Sequence, residues 1–159
     1  MLRTGLFAAA CALAACGGSS SPATHFTATL SSANEVPASP HPNATATGTA
    51  TYTVNGNQVD YTVTFSGLSG PASAGHIHVG ISSEAGGVVV PFTPPPGVSG
   101  TFSGSFTATD VKAGSTPNQT IVAGDFNSML SAMRAGATYT NIHTASNPSG
   151  EIRGQNRPQ

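Results

Sequence analysis

Ala44-Thr45-Ala46-Thr47-Gly48-Thr49-Ala50-Thr51-Tyr52-Thr53-Val54-Asn55-Gly56-Asn57-Gln58-Val59-Asp60-Tyr61-Thr62-Val63-Thr64-Phe65 reads as two strands and the turn between them. Small or apolar residues alternate with threonine up to Val54, and Val59, Tyr61, Val63 and Phe65 alternate with Asp60, Thr62 and Thr64 on the way back. A period of two places one set on a buried face and the other in solvent. The Asn55-Gly56 dipeptide supplies the positive φ angles that a tight hairpin turn needs.

The same alternation continues on both sides. Phe26, Ala28 and Leu30 interleave with His25, Thr27 and Thr29 in a strand that stops at Asn34 to Pro37. After a loop over Gly67–Gly75, His76–Val79 and Val88–Phe92 read as short strands around the glycine-rich turn Gly80–Gly87. Pro94–Pro96 impose an extended connection to a strand at Val98–Thr109, with Phe102 and Phe106 inward. Asp110–Asn118 reads as a loop. Phe126, Met129, Leu130 and Met133 fall at helical spacing, with Asp125 as N-cap and Gly136 as the stop. Tyr139–Thr144 and Gly150–Gly154 close the chain as strands. About eight short strands and one short helix predict an all-β, antiparallel β-sandwich or flattened Greek-key barrel, a single domain over residues 25–157.

Composition narrows what such a domain does. Only 7% of the 159 residues are charged, and five Lys/Arg against six Asp/Glu give a formal charge of -1. That excludes the basic stripe that nucleic acid requires and the polybasic patch that anionic lipid requires. Thr and Ser replace the missing charge, and threonine's branched Cβ suits a pleated surface.

The first residues are a targeting segment rather than part of the fold. Arg3 precedes the apolar run Leu6–Ala15, too short to span a bilayer but of the length of a secretory signal core. The run ends in Leu13-Ala14-Ala15-Cys16 followed by Gly17, which resembles the bacterial lipobox, in which cleavage precedes the cysteine and its thiol is acylated with lipid such as palmitate. Residues 1–15 are then the signal peptide, and 16–24 the lipidated Cys16 with its tether, of which Gly17–Thr24 reach at most ~27 Å at ~3.3 Å per residue; the alternative is an ordinary signal peptide with an A-x-A-like site, which would leave Cys16 a free thiol. Cys11 leaves with the signal and Cys16 is blocked, so the mature chain holds no disulfide and its stability rests on the core. The lipobox resemblance, with Gly17 rather than Asp after the cysteine, implies an exported lipoprotein anchored in the outer membrane of a Gram-negative bacterium, with the bilayer as its partner through Cys16.

Catalytic signatures are missing: there is no G-x-S-x-G elbow, P-loop, H-E-x-x-H or usable cysteine nucleophile. Asn43 and Asn118 head formal glycosylation sequons that mark surface loops. The exception is Ala74-Gly75-His76-Ile77-His78-Val79-Gly80. Residues i and i+2 of a strand share a face with Cα atoms about 6.5 Å apart, from which two imidazoles can converge on one ion. His143, in Tyr139-Thr140-Asn141-Ile142-His143-Thr144, supplies a third if its strand lies alongside. Three imidazoles without thiolate suit zinc or copper, and the order of divalent affinities favours Cu(II). The alternative is that these histidines hydrogen-bond loop carbonyls and hold the edges together. His25 and His41 are expected to be exposed and idle. Glu151 and Arg153 share one face of a strand and either pair with each other or contact the histidines; with Tyr139 and Asn141 they form the expected surroundings of the site.

Three segments carry a resemblance: Ser31-Ser32-Ala33-Asn34-Glu35-Val36-Pro37, the His-x-His strand, and Asn141-Ile142-His143-Thr144 through Pro148-Ser149-Gly150-Glu151-Ile152-Arg153-Gly154-Gln155. Together they resemble the CHRD domain, named for chordin and common in exported bacterial proteins, over roughly Phe26–Gln155. The chain stops soon after Gln155, which leaves the last strand short. The resemblance implies a β-sandwich-like domain and brings no settled activity. A weaker similarity is to copper/zinc superoxide dismutases, and it implies His76, His78 and His143 as copper ligands and Arg153 as an anion guide. The bridging histidine, the zinc set and the sandwich disulfide of that family are missing. The sequence thus supports a non-enzymatic envelope or binding module, with an envelope protein or glycan as partner. It also supports a copper or zinc protein using the three histidines, with dismutase-like redox chemistry as its furthest extension.

Overall fold

A computed structural model describes residues 21–159. The signal segment, Cys11, Cys16 and most of the tether lie outside the described residues. Among the described residues no helix is long and apolar enough to cross a membrane.

The strands are β1 (His25–Ser31), β2 (Thr47–Asn55), β3 (Gln58–Ser66), β4 (Ala72–Val79), β5 (Val88–Phe92), β6 (Gly100–Phe106), β7 (Gly114–Ser115), β8 (Thr120–Ile121), β9 (Thr138–Thr144), β10 (Ile152–Gln155) and β11 (Arg157–Pro158), with one α-helix, α1 (Phe126–Arg134). Eight of them form a sheet in the order β5-β4-β9-β10-β1-β2-β3-β6, with β11 also paired to β1. All pairings are antiparallel. The chain leaves β3, crosses to the far end of the sheet for β4 and β5, and returns for β6 beside β3. The β2–β3 hairpin turns one residue later than the Asn55-Gly56 dipeptide predicts: Asn55 still pairs with Gln58, Gly56-Asn57 make the turn, and only Gly56 takes a positive φ, +59°.

The sheet curls until its two ends nearly meet. β5 and β6 exchange no hydrogen-bonded ladder; side chains hold that seam instead, with the Phe92 ring centroid 4.5 Å from Tyr61 of β3 and 5.8 Å from Phe102 of β6. The outer edge of β5 is covered as well, because Lys112 N–H donates to Val89 O and Gly87 N–H to Ser115 O. An edge so covered offers little template for pairing with another chain. Inward residues of every long strand, among them Phe26, Leu30, Tyr52, Val63, Phe65, Ile77, Phe106, Ile142 and Ile152, form one core. α1 lies against this core through Met129, Leu130, Ala132 and Met133. Its Asp125 cap accepts from Ser128 N–H at 2.9 Å, as its spacing predicts.

Several boundaries differ from the sequence reading: β2 begins at Thr47 rather than Ala44, and β10 covers Ile152–Gln155 rather than Gly150–Gly154. The loop expected over Gly67–Gly75 ends early, because β4 begins at Ala72, where Ala72, Ser73 and Ala74 are too small to announce a buried face. The strand expected over Val98–Thr109 is confined to Gly100–Phe106, since a capping box between Thr107 and Asp110 turns the backbone into a 3-10 turn. The loop expected over Asp110–Asn118 contains β7, held in a two-stranded ribbon with β8.

Strand β9 decides where the chemistry lies. All seven of its residues are buried, although it faces two environments. Thr140 and Ile142 face the barrel interior, where Thr140 Oγ1 meets the Tyr52 hydroxyl at 2.5 Å. Tyr139, Asn141 and His143 face outward beneath loops. Register carries this outer row across three strands: His78 lies opposite Tyr139 and Tyr139 opposite Gln155, while His76 lies opposite Asn141 and Asn141 opposite Arg153.

Candidate metal centre

The three histidines meet. His76 and His78 project from the outer face of β4, and His143 reaches them from β9, one strand away. His76 Nδ1 is 2.9 Å from His143 Nε2, and one nitrogen from each ring can be chosen so that all lie within 4.8 Å of one another. His78 and His143 are 9% and 6% exposed, and His76 is half-buried and opens the cluster to solvent.

Carbonyl oxygens orient two of the rings. Since a carbonyl only accepts, His78 Nδ1–H donates to Gly86 O at 2.9 Å and His143 Nδ1–H to Pro148 O at 3.0 Å. Both bonds make Nε2 the lone-pair nitrogen: that of His143 accepts from His76 Nδ1–H, while His78 Nε2 is buried without a partner. Such back-bonding is how a metal-ligating imidazole is held in one tautomer. The loop that does this turns tightly, and a Cβ at Gly86 would lie 1.8 Å from Val79 O, so only glycine fits. Burial pushes the pKa values of His76 and His78 down to about 4, helped at His76 by the neighbouring His143 and opposed at His78 by the Gly86 carbonyl. Burial also lowers His143, against the Pro148 carbonyl. At neutral pH all three rings are uncharged and present lone pairs.

The spacing suits an ion with little adjustment. Two nitrogens 2.9 Å apart, each ~2.05 Å from a common ion, subtend about 90°, whereas a tetrahedral pair needs ~3.3 Å. A right angle is the cis angle of a tetragonal Cu(II) site. No two ligands of one ion stand farther apart than ~4.2 Å, so the widest pair here closes by up to ~0.6 Å on binding.

The surrounding groups sort differently from expectation. The Tyr139 ring stacks on His78 with centroids 4.8 Å apart and 5° between planes, and the Arg153 guanidinium carbon lies 3.5 Å from the Tyr139 centroid. With β9 between β4 and β10, the tyrosine ring separates the arginine from the imidazoles. Arg153 Nη2 donates to Ile81 O and Glu84 O, both at 2.9 Å, which ties down the loop that carries Gly86. Glu151 neither pairs with Arg153 nor touches the histidines. It accepts from Ser69 N–H, Ser69 Oγ–H, Thr144 Oγ1–H and Asn43 Nδ2–H. Burial pushes its pKa up, and these four bonds outweigh that and hold it below the usual range. Asn43, expected only to mark a surface loop, is thereby part of this clamp. His25 and His41 are exposed, as expected, and neither belongs to the cluster.

Glu35, which the spacing of charged residues does not single out, is buried beside the site. Its Oε2 accepts from Asn141 Nδ2–H at 3.2 Å, and its Oε1 has no partner. Burial pushes its pKa up to about 7, against the Asn141 hydrogen bond and the Arg153 charge.

A family match to the CHRD domain covers residues 26–156. This chain belongs to the CHRD domain family. No curated protein and no solved structure matches it. The match spans the whole barrel from β1 to the end of β10, so the histidine cluster, Glu35 and Arg153 all lie within the CHRD domain.

Proposed function

We propose that this CHRD domain is a non-enzymatic binding module of the bacterial envelope whose ligand is a single transition-metal ion, Cu(II) before Zn(II), held by His76, His78 and His143. The observation that carries the reading is the convergence of His143 from β9 on the His-x-His pair of β4, with carbonyl hydrogen bonds turning the Nε2 lone pairs of His78 and His143 into the cluster and that of His78 left without a partner. Structural histidines need no unpartnered nitrogen, and burying one costs stability that a metal bond would return. The half-buried His76 leaves an open side for a fourth ligand, water or one supplied by a partner.

In the same reading Cys16 carries the lipid, and the short tether keeps the metal site close to the outer membrane. The test is calorimetric titration of the protein with Cu(II) and Zn(II), alongside His78→Ala and His143→Ala. Submicromolar one-to-one binding, tighter for Cu(II) and lost in both variants, is the expected result. Absence of binding, with both variants merely less stable, would assign the histidines to structure.

A further inference from the structure

On the other side of Arg153 from the histidines lies a cavity of about 450 Å³ between β1, β10, β11 and the turn after β1. Its walls include Arg153, Arg157, Asn34, Gln155, Thr29 and Glu35. The chain has only five Lys/Arg residues in all, and two of them meet here.

Arg153 is the unusual one. It is 1% exposed, and its partners through Nη2 are the carbonyls of Ile81 and Glu84, while Nη1 donates to nothing. A buried guanidinium held by neutral dipoles retains its charge, and burial of charge is costly without a counter-ion. The carboxylate at hand, Glu35, is a weak counter-ion, since burial favours its protonated form. A ligand that brings a negative charge into the cavity would meet that need, with exposed Arg157 at the entrance as a second cation.

The remaining wall selects among anions. Thr27, Thr29, Asn34, Ser82 and Gln155 are neutral hydrogen-bonding side chains. The volume lies in the range of small-molecule sites and far exceeds that of a tetrahedral inorganic ion. We propose that this cavity binds a small hydroxylated carboxylate of the sugar-acid type, its carboxylate toward Arg153 and Arg157 and its hydroxyls toward the neutral polar wall. The site is independent of whether metal binds at the imidazoles.

The test uses glucuronate as the probe, with glucose as its uncharged counterpart and sulfate as an inorganic anion, followed by two-dimensional NMR of the protein. Glucuronate should shift the backbone amides of Asn34, Ser82 and Gln155 saturably, and glucose should not. Arg157→Gln, an exposed substitution, should keep the folded spectrum and weaken glucuronate by about tenfold. Arg153→Gln should abolish binding; should it fail to fold, Arg157→Gln carries the test alone. The proposal is overturned by absence of saturable glucuronate binding, by an unchanged affinity in Arg157→Gln, or by sulfate occupying the same amides as tightly.

Discussion

Replacing Glu35 by glutamine isolates one buried proton. The carboxyl has a folded pKa of about 7 against 4.5 in the unfolded chain, so the native state holds its proton more tightly. A carboxyl raised in this way contributes stability that is fully present below pH 4.5 and is lost as pH rises through 7. At ~1.4 kcal/mol per pH unit, the contribution is roughly 2 to 3 kcal/mol at pH 5 and close to zero at pH 8. The three clustered histidines act in the opposite direction: their folded pKa values are depressed, so their contribution is present above the unfolded value of 6.5 and is lost as pH falls. Those contributions occur in both proteins and cancel in the difference. Urea melts at pH 5 and pH 8 should therefore show wild type losing roughly 2 kcal/mol more than Glu35→Gln on going to pH 8. Glutamine keeps the size of the side chain and an oxygen for Asn141 Nδ2–H. Equal pH dependence in the two proteins would refute the claim that Glu35 is buried with its proton, and with it the argument that Arg153 lacks a counter-ion.

Other consequences are simpler to read. Leu30→Ala empties a fully buried position between β2 and β10 and should cost about 2 to 5 kcal/mol in urea unfolding; a loss under ~1 kcal/mol would contradict the packing. Tyr139→Leu removes the ring stacked on His78 and the hydroxyl that accepts from Gly86 N–H, so Cu(II) affinity should fall about 10- to 100-fold with the fold retained, as calorimetry would show. Unchanged affinity would mean that the stack does not orient His78. Cys16→Ser should abolish palmitate labelling in cells and release the protein into the soluble fraction; membrane retention would contradict the lipid anchor.

Much of this architecture is legible in the sequence because threonine and apolar residues alternate so regularly. The β2–β3 hairpin, the β4 His-x-His face and the capped helix each follow from a local pattern. The losses occur where pattern is weak or contact is distant. Ala72 and Ala74 give no apolar signal, so β4 starts before any periodicity appears. Asn141 and Arg153 stand out in sequence as neighbours of the histidines, but only the strand register sets them side by side. Glu35 and Asn141 are 106 residues apart, and a lone glutamate in a turn gives no sign of being buried. Glu151 and Arg153 lie two residues apart on one face, a spacing that suggests a local interaction; each instead finds partners on loops far away in sequence. The convergence of His143 with His76 is readable as a candidate only, since nothing local says that β9 pairs with β4.

The central claim is that three imidazoles hold one ion, and a crystal structure of the copper-loaded protein tests it most directly. The prediction is a single Cu(II) bonded at ~2.0 Å to nitrogens of His76, His78 and His143, with His78 and His143 still donating from Nδ1 to Gly86 O and Pro148 O. Copper on His25 or His41, with the His76–His143 contact intact and no density among the three rings, would contradict it.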